Sequence, residues 1–129
     1  MKFMCLVYFD ETSFAGMSEA DGKRLTDATI EEDNDLRRRG KLIFAQPLDE
    51  PQTAVNVRVR NGKLLRTDGP FAETKEWLGG FMLIEAQNIE EAVTICADSE
   101  IAKICRTEIR PFLIQTHSVT GEGRPEFKD

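Results

Sequence analysis

The sequence predicts an α+β domain, a ferredoxin-like β-α-β-β-α-β plait with an inserted β-hairpin. Three observations predict it. Apolar, strand-like runs and two amphipathic helical stretches follow one another as β-α-β, then β-α-β. The first and third strands of that series, Lys2–Tyr8 and Phe81–Glu85, are among the most continuously apolar, as central strands should be. Between the two units, Val55, Val57 and Val59 alternate with Asn56, Arg58 and Arg60 ahead of Asn61-Gly62. That is the pattern of a hairpin with one apolar and one wet face.

The elements follow in order. After the first strand, Ser18 supplies an N-cap, with Glu19 and Asp21 as acids in the first turn. The helix runs to about Arg39 and stops at Gly40, where a left-handed cap is common. Its inner stripe is Leu25, Ala28, Thr29, Glu32 and Leu36; Asp33 with Arg37 and Asp35 with Arg39 form i,i+4 pairs outside. Leu42–Leu48 is the second strand, and Lys63–Thr67 returns from the hairpin turn. Asn88 and Glu91 form a capping box for a second helix to about Asp98, with Ile89, Ala92, Val93 and Cys96 facing inward. The last strand, roughly Thr107–Leu113, contains Pro111, which marks it as an edge or bulged strand. Residues 1–114 form the domain, and 115–129 form a polar tail expected to be loose. Both helices cover one sheet face, which leaves the other apolar; a homodimer packed sheet on sheet is expected.

Composition narrows the function. The chain has 129 residues, 40% hydrophobic and 31% charged, the balance of a globular domain that needs no staples. A net charge of −6 argues against nucleic acid, and the run Arg37-Arg38-Arg39 reads as a helix C-terminal cap. Neither a bilayer-spanning run nor a signal peptide is visible, so a cytoplasmic protein without membrane contact is expected. Three cysteines without a CxxC, and a single histidine, His117, in the polar tail, point to no metal site and no cofactor.

The candidate site is the segment Asp68-Gly69-Pro70-Phe71-Ala72-Glu73-Thr74-Lys75-Glu76-Trp77. Four ionisable groups lie within nine residues, beside Phe71 and the only tryptophan. Pro70 fixes its own φ and biases Gly69 towards extended geometry, so the bend is stiff. A stiff bend holding carboxylates beside aromatics suits a pocket wall with groups placed for proton transfer. Asp68 and Glu73 are the candidate catalytic acids; Pro70, Phe71, Lys75 and Trp77 are the candidate ligand contacts. The plainer reading is a turn with a solvated charged face. Glu32, an acid in an otherwise apolar or small stripe, either snorkels to solvent or points into the helix–sheet gap. In the second case it joins Asp68 as an acid–base pair across a cleft.

Residues 68–76 read DGPFAETKE, and the chain resembles the DGPFAETKE family of YCII-related proteins. The likeness continues through Val57–Lys63 and Leu78–Phe81, and more loosely over the chain to about Phe112. The resemblance implies a dimeric α/β barrel of ferredoxin-like protomers. It also implies a link to extracytoplasmic-function sigma factors. Related YCII-type proteins include a dechlorinating enzyme with a His–Asp pair, whose histidine would fall on Thr29 here. Threonine is no base at neutral pH, so that pair is missing. Three functions follow as expectations: a small-molecule-binding or regulatory domain, a metal-independent acid/base enzyme using the motif carboxylates, or a structural dimer module with no ligand.

Overall fold

The computed structural model describes residues 1–70 and 74–126. These form β1 (Lys2–Asp10), α1 (Glu19–Arg38), β2 (Leu42–Pro47), β3 (Val55–Arg60), β4 (Lys63–Asp68), β5 (Glu76–Glu85), α2 (Ile89–Ala97) and β6 (Arg106–Pro111). Among the described residues no helix is long and apolar enough to cross a membrane.

Strands β2-β5-β1-β6 make one antiparallel sheet, and β3-β4 make a separate two-stranded ribbon. This is the expected plait, with the two apolar strands β1 and β5 at its centre and β6 at an edge. The ribbon turns at Asn61 (φ 52°) and Gly62 (φ 74°), the paired positive angles that a two-residue hairpin requires.

Each helix begins at the N-cap residue its sequence predicts. Ser18 Oγ accepts from the Asp21 N–H at 3.1 Å, and the Asp21 carboxylate accepts from the Ser18 N–H at 3.2 Å. Caps of this kind are worth about 1 kcal/mol. Gly40 leaves α1 at φ 73°, and the Lys41 N–H returns to the Leu36 carbonyl at 2.8 Å. In α2, Asn88 accepts from the Glu91 N–H at 2.9 Å. The Glu91 carboxylate instead takes Lys41 Nζ at 2.9 Å and the Gln87 N–H. Only half of the expected capping box therefore forms, because the lysine next to β2 competes for it.

The core lies between the helices and one face of the sheet. Phe3, Cys5 and Ile84 are fully buried there, packed with Ala86, Ala92 and Cys96. The hydrogen bond from Cys96 and burial push the Cys5 thiol well above its ordinary range, so it stays protonated and acts as a small apolar side chain. By strand alternation Met4, Leu6 and Tyr8 lie on the opposite face, beside Leu83, Phe81 and Leu78 of β5. Phe44 of β2 joins them, its ring 5.7 Å from that of Phe81.

Strand β5 is longer than the apolar pattern suggested. It starts inside the motif, at Glu76, because the extended end of β1 supplies it with partners. The pairing contains one bulge. Val7 pairs with Gly80, but Tyr8 pairs with Leu78, and Gly79 is the extra residue. A Cβ on Gly79 would sit 2.2 Å from the Phe9 ring, and one on Gly80 would sit 3.0 Å from the Gln46 carbonyl oxygen. Gly79→Ala should therefore destabilise the domain by about 1–3 kcal/mol through forced repacking. A urea midpoint equal to wild type would contradict that close approach.

Candidate functional site

The strongest cluster of chemistry lies at one end of the sheet, where β1 ends and β5 and β6 begin. Arg106 pairs in register with Tyr8, and Asp10 pairs with Glu76. Arg106 thus crosses β1 diagonally to reach β5. Its guanidinium lies 4.5 Å from the centre of the Tyr8 ring, within the range of a cation–π contact. Beyond the ring it donates Nε to Glu76 at 3.0 and 3.2 Å, and Nη2 at 3.0 Å. The fork geometry makes this a directional, charge-assisted pair.

Asp10 is fixed by the turn that follows β1. The Ser13 N–H returns to the Asp10 carbonyl at 3.1 Å, and the Asp10 N–H donates to Ser13 Oγ at 2.9 Å. Oδ1 of Asp10 collects the Thr12 N–H at 2.8 Å, the Thr12 hydroxyl at 2.6 Å and the Ser13 hydroxyl at 3.4 Å. The Thr12 hydroxyl, and then the Thr12 N–H, hold the carboxyl below the usual aspartate range.

These groups line an open cleft of about 300 Å³ with Lys103, Ile104 and Cys105. Lys103 itself bridges to Glu100 at 2.8 Å, which raises its ammonium pKa. Burial pushes the Cys105 thiol up, so it is not an activated nucleophile. A second hollow of about 420 Å³ lies by Glu11, Thr74, Lys75 and Trp77. The end of the motif therefore contributes to both hollows, Glu76 to one and Thr74, Lys75 and Trp77 to the other.

Other motif positions lie elsewhere. Asp68 ends β4, is exposed, and bonds Arg66 Nε at 2.9 Å. Pro70 is exposed and lines neither hollow. Phe71 and Glu73 lie outside the described residues. Gly69 has φ 87°, not the extended conformation expected before proline. This angle lets the Gly69 N–H reach the Ala54 carbonyl at 2.7 Å, and its own carbonyl accepts from Asn56 Nδ2 at 2.9 Å. The bend closes the base of the ribbon.

Glu32 neither snorkels to solvent nor enters the helix–sheet gap. Its carboxylate accepts from Ser99 Oγ at 2.9 Å and from the Glu100 N–H at 3.0 Å. It caps the short 3-10 turn Glu100–Lys103 and ties α1 to it. Glu32 and Asp68 engage different partners on different elements. Among the described residues, no group of three or more His, Cys, Asp or Glu side chains is placed to share a metal ion.

Tyr8, Asp10 and Arg106 were not legible as site residues. Each looks like an ordinary strand or turn residue, and only pairing across three strands unites them. The one signal was Glu76, an acid opening a strand.

A sequence model of the YCII-related domain matches residues 1–113. An uncharacterised protein of Rhizobium meliloti (strain 1021) is 32% identical over 98 residues, covering 76% of this chain and 79% of that protein.

Two variants check the roles read from these contacts. Glu32→Ala should cost about 1–2 kcal/mol by removing a charged acceptor from two donors, and Glu32→Gln should cost less. Equal stability of Glu32→Ala and wild type in urea would contradict the capping role. Asp10 has a depressed folded pKa, so its contribution is complete above the unfolded value of about 3.9 and is lost as pH falls through the folded one. Asp10→Asn should remove that part of the acid-induced loss, seen in urea midpoints from about pH 7 down to about pH 2. An unchanged acid limb would refute the assignment.

Proposed function

We propose, from the premise that the chain belongs to the YCII-related family, that it is a binding domain for a small polar molecule, seated where the motif enters the sheet. The observation that carries this is the Arg106 clamp. A directional ion pair, an aromatic face and a fixed carboxylate converge on one cleft of about 300 Å³, at the lower end of the size of ligand sites. Burial alone does not call for such a convergence, since both partners of the ion pair are half exposed and exposed pairs add little stability.

Binding is favoured over acid/base catalysis by the state of the carboxylates. A general base near neutral pH works best with a pKa near the operating pH. Asp10 is shifted away from that range, and Glu76 is committed to Arg106. Asp68 and Lys75 remain candidate contacts through the neighbouring hollow and ribbon. A regulatory setting, with the sigma-factor link that the resemblance implies, agrees with binding without turnover.

The same reading includes a homodimer. Among the described residues, no helix covers the sheet face carrying Met4, Leu6, Phe81 and Leu83, since the helices pack on the core face. The ribbon leaves Val57 and Val59 68% and 71% exposed. Contiguous apolar surface of this kind marks association faces, and a two-stranded ribbon is marginal alone. A second copy covers both.

Two measurements test these proposals. A metabolite panel screened by thermal shift should contain compounds that raise Tm for wild type and not for Arg106→Ala. Equal shifts in both would move the site elsewhere. Light scattering at micromolar concentration should give a dimer for wild type, weakened at least tenfold by Val57→Asp in a chain that keeps its circular dichroism. A monomeric wild type would refute the dimer.

A further inference from the structure

The cleft contains more than an ion pair. Its lining holds two anions, Asp10 and Glu76, and two cations, Lys103 and Arg106, so the lining side chains carry no surplus of either sign. Each fixed group also has an unused valence. The contacts of Asp10 within the protein all fall on Oδ1, and those of Arg106 fall on Nε and Nη2. Among the described residues, Asp10 Oδ2 accepts no hydrogen bond, Arg106 Nη1 donates none, and the Tyr8 hydroxyl makes none.

The backbone placement of these groups follows from the pairing. Tyr8 and Asp10 are two residues apart on one strand face, and Arg106 lies directly beside Tyr8 on the next strand. The Cα atoms of Asp10 and Arg106 are therefore roughly 8 Å apart, from the rise per residue and the strand separation. Their side chains can grip the two ends of one short molecule.

Resting on the binding reading above, we infer that the ligand is a small zwitterion of the amino-acid type, its ammonium on Asp10 Oδ2 and its carboxylate on Arg106 Nη1. A polyanion such as a nucleotide would face Asp10 and Glu76 with no surplus of cations to offset them. A purely cationic ligand would meet Arg106 and Lys103. A molecule carrying one charge of each sign matches both ends, and the directional clamp on Glu76 keeps Arg106 aimed at the carboxylate.

The test uses full-length protein and matched probes: glycine, β-alanine and 4-aminobutyrate, each against the carboxylate and the amine that lack one charge. Binding is followed by calorimetry and by amide chemical-shift changes at Tyr8, Asp10 and Arg106. At least one zwitterion should bind tenfold or more tighter than both of its single-charge analogues. Asp10→Asn should weaken the zwitterion about tenfold while leaving the matched carboxylate unchanged, a split that a merely structural role for Asp10 would not produce. Arg106→Lys, which keeps the charge but loses the fork, should weaken zwitterion and carboxylate alike. If a carboxylate binds as tightly as its zwitterion, the inference falls and the binding reading stands. If neither these probes nor a broad metabolite panel perturb those amides, both fall together.

Discussion

One extra residue in β5 determines which side chains meet at the end of the sheet. Without the bulge at Gly79, continued pairing would set Trp77 opposite Asp10 and turn Glu76 to the other face, because side chains alternate with a period of two. With the bulge, Glu76 stands opposite Asp10, on the same face as Tyr8, and Arg106 can reach across to it. The two glycines make this possible. The Phe9 ring occupies the space a Gly79 side chain would need, and the backbone of β2 crowds Gly80. The diagonal clamp is thus a consequence of backbone spacing before it is one of charge.

The rest of the molecule divides the work between two faces. Behind the sheet, the core of Phe3, Cys5, Ile84 and Cys96 holds the helices in place. In front, an apolar band of Met4, Leu6, Phe44, Phe81 and Leu83 runs into the polar end at Tyr8 and Asp10. Along β6 the same face carries Arg106, Glu108 and Arg110, paired in turn with Tyr8, Leu6 and Met4. The sheet therefore passes from grease to charge both along β1 and across to its edge.

Much of the fold was legible because it rests on local rules. Ser18, Gly40, Asn61-Gly62 and the alternating valines each specify a conformation with their immediate neighbours, and the apolar runs mark the central strands. The site was less legible because it rests on register. Of the motif, Glu76 lines the cleft at the sheet end, while Asp68 and Pro70 lie at the base of the ribbon and line neither hollow. Nothing in the chain announces that Arg106 will sit beside Tyr8, since their meeting depends on two strand pairings and a bulge. Glu32 shows the same limit. Its place in the inner stripe was visible, but the donors it finds, at Ser99 and Glu100, come from a short turn with no periodic signature.

The Arg106–Glu76 pair stands half in water, and the core lies on the opposite side of the sheet. Replacing the Arg106 and Glu76 side chains therefore leaves the core packing in place. Such a scaffold has wide evolutionary latitude. Its rim can be recut without disturbing the layer that keeps the chain folded.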